Sequence, residues 1–79
     1  MAPYAPPKKR SVVIAGHQTS ISLEPMFWSA LERAALEAQM PLSAVIADID
    51  TARLELRPIP NLTSAVRQWL FLREGLSGG

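Results

Sequence analysis

Polar and apolar residues alternate along one short stretch, residues 17–23, and this pattern predicts a β-strand. The odd positions are the more apolar and end in Ile21 and Leu23. The even positions are all polar: Gln18, Ser20 and Ser22. Because successive strand side chains point to opposite faces, we expect the odd set to face a core and the even set to face outward.

After the strand, the spacing of apolar residues changes to that of a helix. Glu24-Pro25 is expected to begin the first helix. The N–H groups of the first helical turn have no acceptor within the helix, so proline, which lacks an N–H, is tolerated there. The apolar positions at helical spacing are Phe27, Leu31, Ala34, Ala35 and Ala38. Trp28 lies beside this stripe, which suggests a second packing partner. Met40-Pro41 is expected to end the helix, because the residue before proline avoids the α region.

Two further helices are predicted downstream. The second begins near Pro41 and runs to about Arg53, with one apolar stripe: Leu42, Val45, Ile46 and Ile49. Residues 54–60 contain two prolines and predict an extended connector. Asn61 is expected to cap a third helix, because asparagine can accept a hydrogen bond from a free N–H of the first turn. The apolar positions of that helix are Leu62, Val66, Trp69, Leu70 and either Phe71 or Leu72.

The N-terminal segment differs in composition and charge. Residues 1–9 contain three prolines without periodicity and are expected to be disordered, whereas residues 10–15 have strand propensity that ends at Gly16. Residues 1–19 carry three cations and no acid (+3), and the rest carries five arginines against seven acids (−2). A basic arm of this kind is either a solubilising tail or a nucleic-acid contact.

The composition argues against several classes of protein. A chain of 79 residues is expected to form one domain, and without cysteine it has neither disulfides nor thiolate chemistry. The only histidine, His17, belongs to the inward strand set and is expected to be a hydrogen-bonded structural residue. Asp48 and Asp50 are two positions apart on a predicted helix, so they cannot share a metal or a proton. We therefore expect no enzyme, no metal and no cofactor.

Membrane insertion is also not expected. No apolar run approaches the ~18–20 residues of a membrane-spanning helix. The apolar run after the basic triplet is too short for a signal peptide, which needs about 7–15 such residues. A cytoplasmic protein is the expectation.

The predicted strand needs a partner, because a lone strand leaves two unpaired edges. A twofold homodimer supplies one, with its strands paired antiparallel above interlocked helices. A two-stranded ribbon fits the DNA major groove, where Gln18 can pair with adenine and Ser20 and Ser22 can bond to several bases. The alternative is an ordinary solvated strand face.

The chain resembles the ribbon-helix-helix family of DNA-binding proteins. The resemblance rests on the order strand, Leu-Glu-Pro, amphipathic helix, tight turn and "PLSAVI", and its most specific parts are "GHxTS" (16–20), "LEP" and "FW". It covers roughly residues 10–73 and is strongest to a short bacterial branch of the family. The resemblance implies that the outward strand side chains read bases, which here are Gln18, Ser20 and Ser22.

The resemblance also implies phosphate contacts. In the family, the first turn of the second helix holds a DNA phosphate through backbone N–H groups, which corresponds to Leu42 and Ser43. The basic residues of the arm, Lys8, Lys9 and Arg10, are expected to contact phosphates as well. Two departures are evident: none of the three reading positions is Arg or Lys, and Gln39-Met40-Pro41 replaces the usual glycine turn.

Together these patterns predict a mainly α fold with one short β-strand, arranged as a ribbon-helix-helix intertwined homodimer with a two-stranded antiparallel ribbon. A basic arm (1–9) precedes the domain with its extra C-terminal helix (10–74), and a flexible tail (75–79) follows. We expect a homodimer that binds double-stranded DNA as a transcriptional regulator. The alternative is an antitoxin-like or adaptor module that binds a partner protein through residues 54–73.

Overall fold

The computed structural model describes residues 4–78, with side chains as far as Arg73. Two strands and three helices follow one another along the chain. They are β1 (Lys8–Ile14), β2 (His17–Leu23), α1 (Pro25–Ala38), α2 (Leu42–Arg53) and α3 (Leu62–Gly78). The strands form one antiparallel sheet, and the three helices pack beneath it. The order of elements agrees with the prediction, except that residues 4–78 contain two strands rather than one.

The second strand turns the predicted lone strand into a hairpin within a single chain. Ala15 and Gly16 connect β1 to β2, and both have positive φ values, 52° and 81°. Positive φ at both central residues is the geometry of the tight turn that matches the natural twist of two strands. Alanine rarely adopts this conformation, which is why the sequence pattern did not reveal the hairpin. The prediction of one short strand is therefore wrong.

The hairpin also includes the end of the predicted arm. Lys8 pairs with Leu23 and Lys9 pairs with Ser22. β1 thus begins before residue 10, because the backbone of residues 8 and 9 is held by its partner strand. Arm residues 1–3 lie outside the described part of the chain.

The inner face of the hairpin is apolar and lies on the helices. Val12 and Ile14 of β1 and Ile21 and Leu23 of β2 are buried there. His17 belongs to the same set but is exposed, because it pairs with Ile14 beside the turn, at the end of the ribbon. The expectation of an inward structural histidine is therefore wrong.

Helix α1 begins and ends as local chemistry dictates. Pro25 occupies the first turn, as predicted. The helix ends at Ala38, and the following residue, the C-cap Gln39, lies in the left-handed region with a φ of 56°. The N–H groups of Gln39 and Met40 donate to the carbonyls of Leu36 and Ala35, at 3.1 and 3.0 Å. Gln39 thus fills the left-handed position that glycine usually takes at a helix end.

The core joins the inner face of the hairpin to one face of each helix. The buried helical residues are Trp28, Ala30, Leu31, Ala34, Ala35, Val45, Ile46, Ile49, Val66 and Leu70. Most of the predicted stripes are thus confirmed. Ala38 is exposed and Phe27 only half-buried, because the buried face of α1 is rotated toward Trp28, which packs under β1.

The third helix starts where predicted but continues further. The Asn61 side chain accepts a hydrogen bond from the Ser64 N–H at 3.1 Å, which confirms the cap. Phe71 and Leu72 are 76% and 59% exposed, since Val66 and Leu70 already occupy the buried face. The helix extends to Gly78, because each residue added to a formed helix adds a hydrogen bond. The predicted tail is therefore helical to Gly78, and Gly79 lies outside the described residues.

One argument for an obligate dimer does not hold. Because a chain of 79 residues buries only part of its surface, Ile21, Leu23, Phe27 and Ile46 are predicted to remain underburied without a second chain. Within one chain, Ile21, Leu23 and Ile46 are 2%, 0% and 0% exposed, because β1 and α3 cover them, and Phe27 is half-buried. Burial of these core residues therefore does not require a second chain, and the intertwined dimer remains a prediction.

Candidate nucleic-acid interface

The outer face of the hairpin carries six exposed side chains from two strands. The register places Lys9 opposite Ser22, Ser11 opposite Ser20 and Val13 opposite Gln18. All three predicted reading residues therefore project together from β2, and three residues of β1 lie beside them. We call these six residues the ribbon face.

Lys9 supplies the only charge of the ribbon face, which contains no carboxylate. Among the residues with described side chains, none forms an ion pair with Lys9. A polar surface with one positive charge suits the acceptor-rich edges of bases and the phosphates that flank them.

The three basic residues predicted to bind phosphate are divided between the two faces of the hairpin. Only Lys9 lies on the ribbon face. Arg10 lies on the opposite face, where its guanidinium donates to Glu32 at 3.0 Å and stands 4.7 Å from the centre of the Trp28 ring. Lys8 is exposed at the open end of the hairpin, and its main-chain carbonyl accepts a hydrogen bond from Trp28. Arg10 is thus already neutralised in part by a carboxylate.

The two residues predicted to contact a phosphate through their backbone lie in the first turn of α2. Leu42 and Ser43 are its first two residues, and Pro41 precedes them in an extended conformation, with ψ 151° and no side-chain cap. The first N–H groups of an α-helix have no partner within the helix. These two N–H groups are therefore of the kind that binds anions.

Two carboxylates tie α1 and its N-cap to α3. The Arg67 guanidinium makes a forked contact with Glu24, at 3.0 and 3.2 Å from its two carboxylate oxygens, and Arg73 pairs with Glu37. A backbone hydrogen bond at Glu24, and then the bond from Arg67, lower the pKa of the Glu24 carboxyl below its usual value. The hydrogen bond from Arg73 likewise lowers the pKa of Glu37. Arg67 and Arg73 therefore pair α3 with carboxylates of α1 and its N-cap.

A shallow apolar concavity lies on the outside of α3. Its volume is about 440 Å³, and it is lined by Phe27, Arg67, Gln68, Phe71 and Leu72. The Arg67 guanidinium covers the Phe27 ring at 5.8 Å and is itself paired with Glu24, so the concavity carries little net charge. It lies within residues 54–73 and the start of α1, where a protein contact was expected.

Sequence reasoning missed Ser11 and Val13 as members of the exposed face. Residues 10–15 were recognised as strand-forming, but not as the partner of β2. The available signal was the two-residue length of the spacer between two strand-like runs, although its sequence, Ala15-Gly16, is not one of the preferred hairpin turns.

Catalytic or membrane features do not stand out in the described residues. In that part of the chain, no group of three His, Cys, Asp or Glu side chains is placed to hold a metal ion. None of its helices is long and apolar enough to cross a membrane.

An antiparallel ribbon with an exposed, mostly polar face, followed by packed amphipathic helices, defines a class of small ribbon-and-helix domains. The chain matches the family model described as "Ribbon-helix-helix domain" over residues 7–73, and it belongs to this family. Neither a curated protein nor a solved structure matches the chain significantly. Ribbon-helix-helix domains are typically non-enzymatic domains that bind DNA and dimerise.

Proposed function

We propose that this protein is a homodimeric DNA-binding protein that regulates transcription by inserting its hairpin into the DNA major groove. The observation that carries the proposal is the ribbon face, a set of exposed and mostly polar side chains without a carboxylate. Membership of the ribbon-helix-helix family supports the same interpretation.

The dimensions of the hairpin suit the groove. Neighbouring strands lie about 4.8 Å apart, and the major groove is about 12 Å wide, so two strands with their side chains can enter it. Gln18 can then pair bidentately with adenine, and the hydroxyls of Ser20 and Ser22 can bond to several bases. Lys8 and the N–H groups of Leu42 and Ser43 are proposed to contact phosphates. Arg10 contributes less, because Glu32 already binds it.

The width of the groove also bears on where a second copy binds. If two copies paired through their outer strand edges, the sheet would have four strands and span about 14 Å between its outer strands. Such a sheet is too wide for a groove of about 12 Å. A second copy is therefore better placed on the apolar surface of α3, around Phe71 and Leu72, which leaves both ribbons free.

DNA binding is tested by measuring affinity for a selected duplex and for its scrambled counterpart at several salt concentrations. We expect Gln18→Ala to weaken binding to the selected duplex by about 1–3 kcal/mol and to leave the scrambled duplex almost unaffected. Lys8→Ala should weaken binding to both duplexes and flatten the salt dependence, because phosphate contacts release counterions. If the folded variants bind every duplex as the unmodified protein does, the ribbon does not read DNA.

The second candidate is a protein-interaction module in which residues 54–73 bind another protein. The exposure of Phe71 and Leu72, 76% and 59%, favours it, since both are large apolar residues beside the concavity of α3. The double variant Phe71→Glu, Leu72→Glu distinguishes a homodimer formed through α3 from a surface that binds another protein. Sedimentation experiments measure whether the variant is a dimer or a monomer. A dimer that becomes monomeric supports self-association through α3.

Leu36→Glu is the matched control, because Leu36 is 78% exposed on α1 and lies outside the concavity. It should leave the dimer intact. A dimer that survives the double variant must use another surface, such as the strand edges. If the unmodified protein is monomeric at micromolar concentration and binds no duplex, the interaction module becomes the better account.

A further inference from the structure

We propose that strand β1 supplies half of the base-reading surface, with Lys9 selecting guanine at one end of the ribbon and Val13 selecting thymine at the other. The inference rests on the proposed DNA binding and concerns its specificity. It follows from the register of the hairpin, which sets Lys9 opposite Ser22 and Val13 opposite Gln18. A hairpin that enters a groove presents both strands to the bases, so the outward side chains of β1 face the bases together with those of β2.

Lys9 is the only cation on the ribbon face. Its side chain points to the same side as Gln18, Ser20 and Ser22, because it pairs directly with Ser22. Guanine presents two acceptors, O6 and N7, in the major groove, and lysine is one of the two side chains that commonly bind them. No carboxylate of the ribbon face competes for the ammonium group. This assigns Lys9 to bases, whereas Lys8, on the other side of β1, remains a phosphate contact.

Val13 is the apolar exception on the ribbon face. It is 55% exposed, although Val12 and Ile14 on either side of it are 8% and 7% exposed. A valine that faces solvent at the turn end of an otherwise polar surface contributes no burial to the core. In the major groove, the C5-methyl group of thymine is the only apolar group, and apolar side chains recognise it. Gln18, directly opposite, can pair with a neighbouring adenine.

The spacing of these two residues predicts the layout of the site. Val13 lies four positions after Lys9 on the same strand, which at about 3.3 Å per residue is a distance of about 13 Å. Bases along one DNA strand rise by about 3.4 Å, so 13 Å corresponds to about four base pairs. The preferred site should therefore contain a guanine about four base pairs from an adenine–thymine step.

The experiment begins with selection of duplexes by the full-length protein from a random-sequence library. Affinities are then measured for the selected duplex, for a version with the guanine replaced by adenine, and for a version with deoxyuridine in place of thymine. Lys9→Met keeps the aliphatic stem but removes the charge, and it should abolish the preference for guanine, which we expect to be about 5- to 100-fold. Val13→Ser should make the protein insensitive to loss of the thymine methyl.

Lys8→Met is the matched control, since it removes the same charge from the adjacent position on the opposite face. It should lower affinity for all three duplexes by the same factor. If Lys9→Met behaves like Lys8→Met, or if deoxyuridine has no effect on the unmodified protein, the assignment of β1 is wrong while DNA binding stands. If the unmodified protein selects no duplex at all, the proposed function fails and this inference fails with it. Circular dichroism verifies that the variants, all at exposed positions, remain folded.

Discussion

The indole Nε1 of Trp28 donates a hydrogen bond of 2.8 Å to the main-chain carbonyl of Lys8. This bond joins the first turn of α1 to the first residue of β1, and the buried ring fills the space between them. The same ring carries the guanidinium of Arg10 at 4.7 Å. One aromatic residue thus fastens the open end of the hairpin to the helices.

Replacement of Trp28 by Phe should loosen β1. The Lys8 carbonyl would lose its donor, and an ordinary hydrogen bond contributes about 0.5–1.5 kcal/mol to stability. We expect a lower free energy of unfolding in urea titration and faster hydrogen exchange of the β1 amides. Trp69→Phe is the control, because Trp69 is half-buried on α3 beside residues of α1 and α2. Equal exchange rates in the two variants would contradict the role given to Trp28.

Truncation of the core should be costly at central positions. Leu31 and Ile46 are both fully buried, so Leu31→Ala and Ile46→Ala should each lower the free energy of unfolding by about 2–5 kcal/mol. Ser29 is exposed on the same helix as Leu31, and Ser29→Ala should have almost no effect. Denaturant titrations that give the same loss for all three variants would show that the helical faces are assigned incorrectly.

Two substitutions in the hairpin turn should change the melting temperature in opposite directions. Ala15 has a φ of 52°, a conformation that costs an ordinary residue about 1–2 kcal/mol. Asparagine tolerates it, and Asn-Gly is a preferred sequence for this turn, so Ala15→Asn should raise the melting temperature. Gly16→Ala should lower it, because the φ of 81° strains any side chain, although no atom lies within 4 Å of the added methyl. A lower melting temperature for Ala15→Asn would contradict the left-handed conformation assigned to residue 15 in this turn.

The contact between Glu24 and Arg67 should make stability depend on pH in the acid range. The pKa of the Glu24 carboxyl is lowered in the folded protein from its usual value of 4.5. A lowered folded-state pKa stabilises the fold above the unfolded-state value, and this stability is lost as the pH falls through the folded-state value. Glu24→Gln should therefore reduce stability at neutral pH and weaken the loss of stability below about pH 4.5.

Thermal unfolding from pH 7 to pH 2 measures this dependence. Glu55→Gln serves as the control, because Glu55 is an exposed carboxylate of the connector before α3. Its acid profile should follow that of the unmodified protein. If Glu24→Gln and the unmodified protein show the same dependence of melting temperature on pH, Glu24 does not contribute to acid unfolding.

The hydrophobic pattern alone was enough to locate β2, the three helices and most of their buried faces. Strand and helix periods are local properties: Ile21 and Leu23 share a face in any strand, and Val45 and Ile49 share a face in any helix. The Asn61 cap is equally local, because its side chain bonds to the N–H of a residue three positions along the chain. The exposure of Gln18, Ser20 and Ser22 on one face of β2 followed from the same alternation.

Tertiary structure alone decided which surfaces meet. Pairing of β1 with β2 depends on a left-handed Ala15, whose local preference opposes the turn, so the energy of the paired strands and the buried inner face must outweigh it. That pairing added Lys9, Ser11 and Val13 to the exposed face and placed Arg10 against Trp28. Exposure of Phe71 likewise depends on which side of α3 the other elements cover. Periodicity defines the faces of an element, but only the free energy of packing all elements together selects the face that is buried.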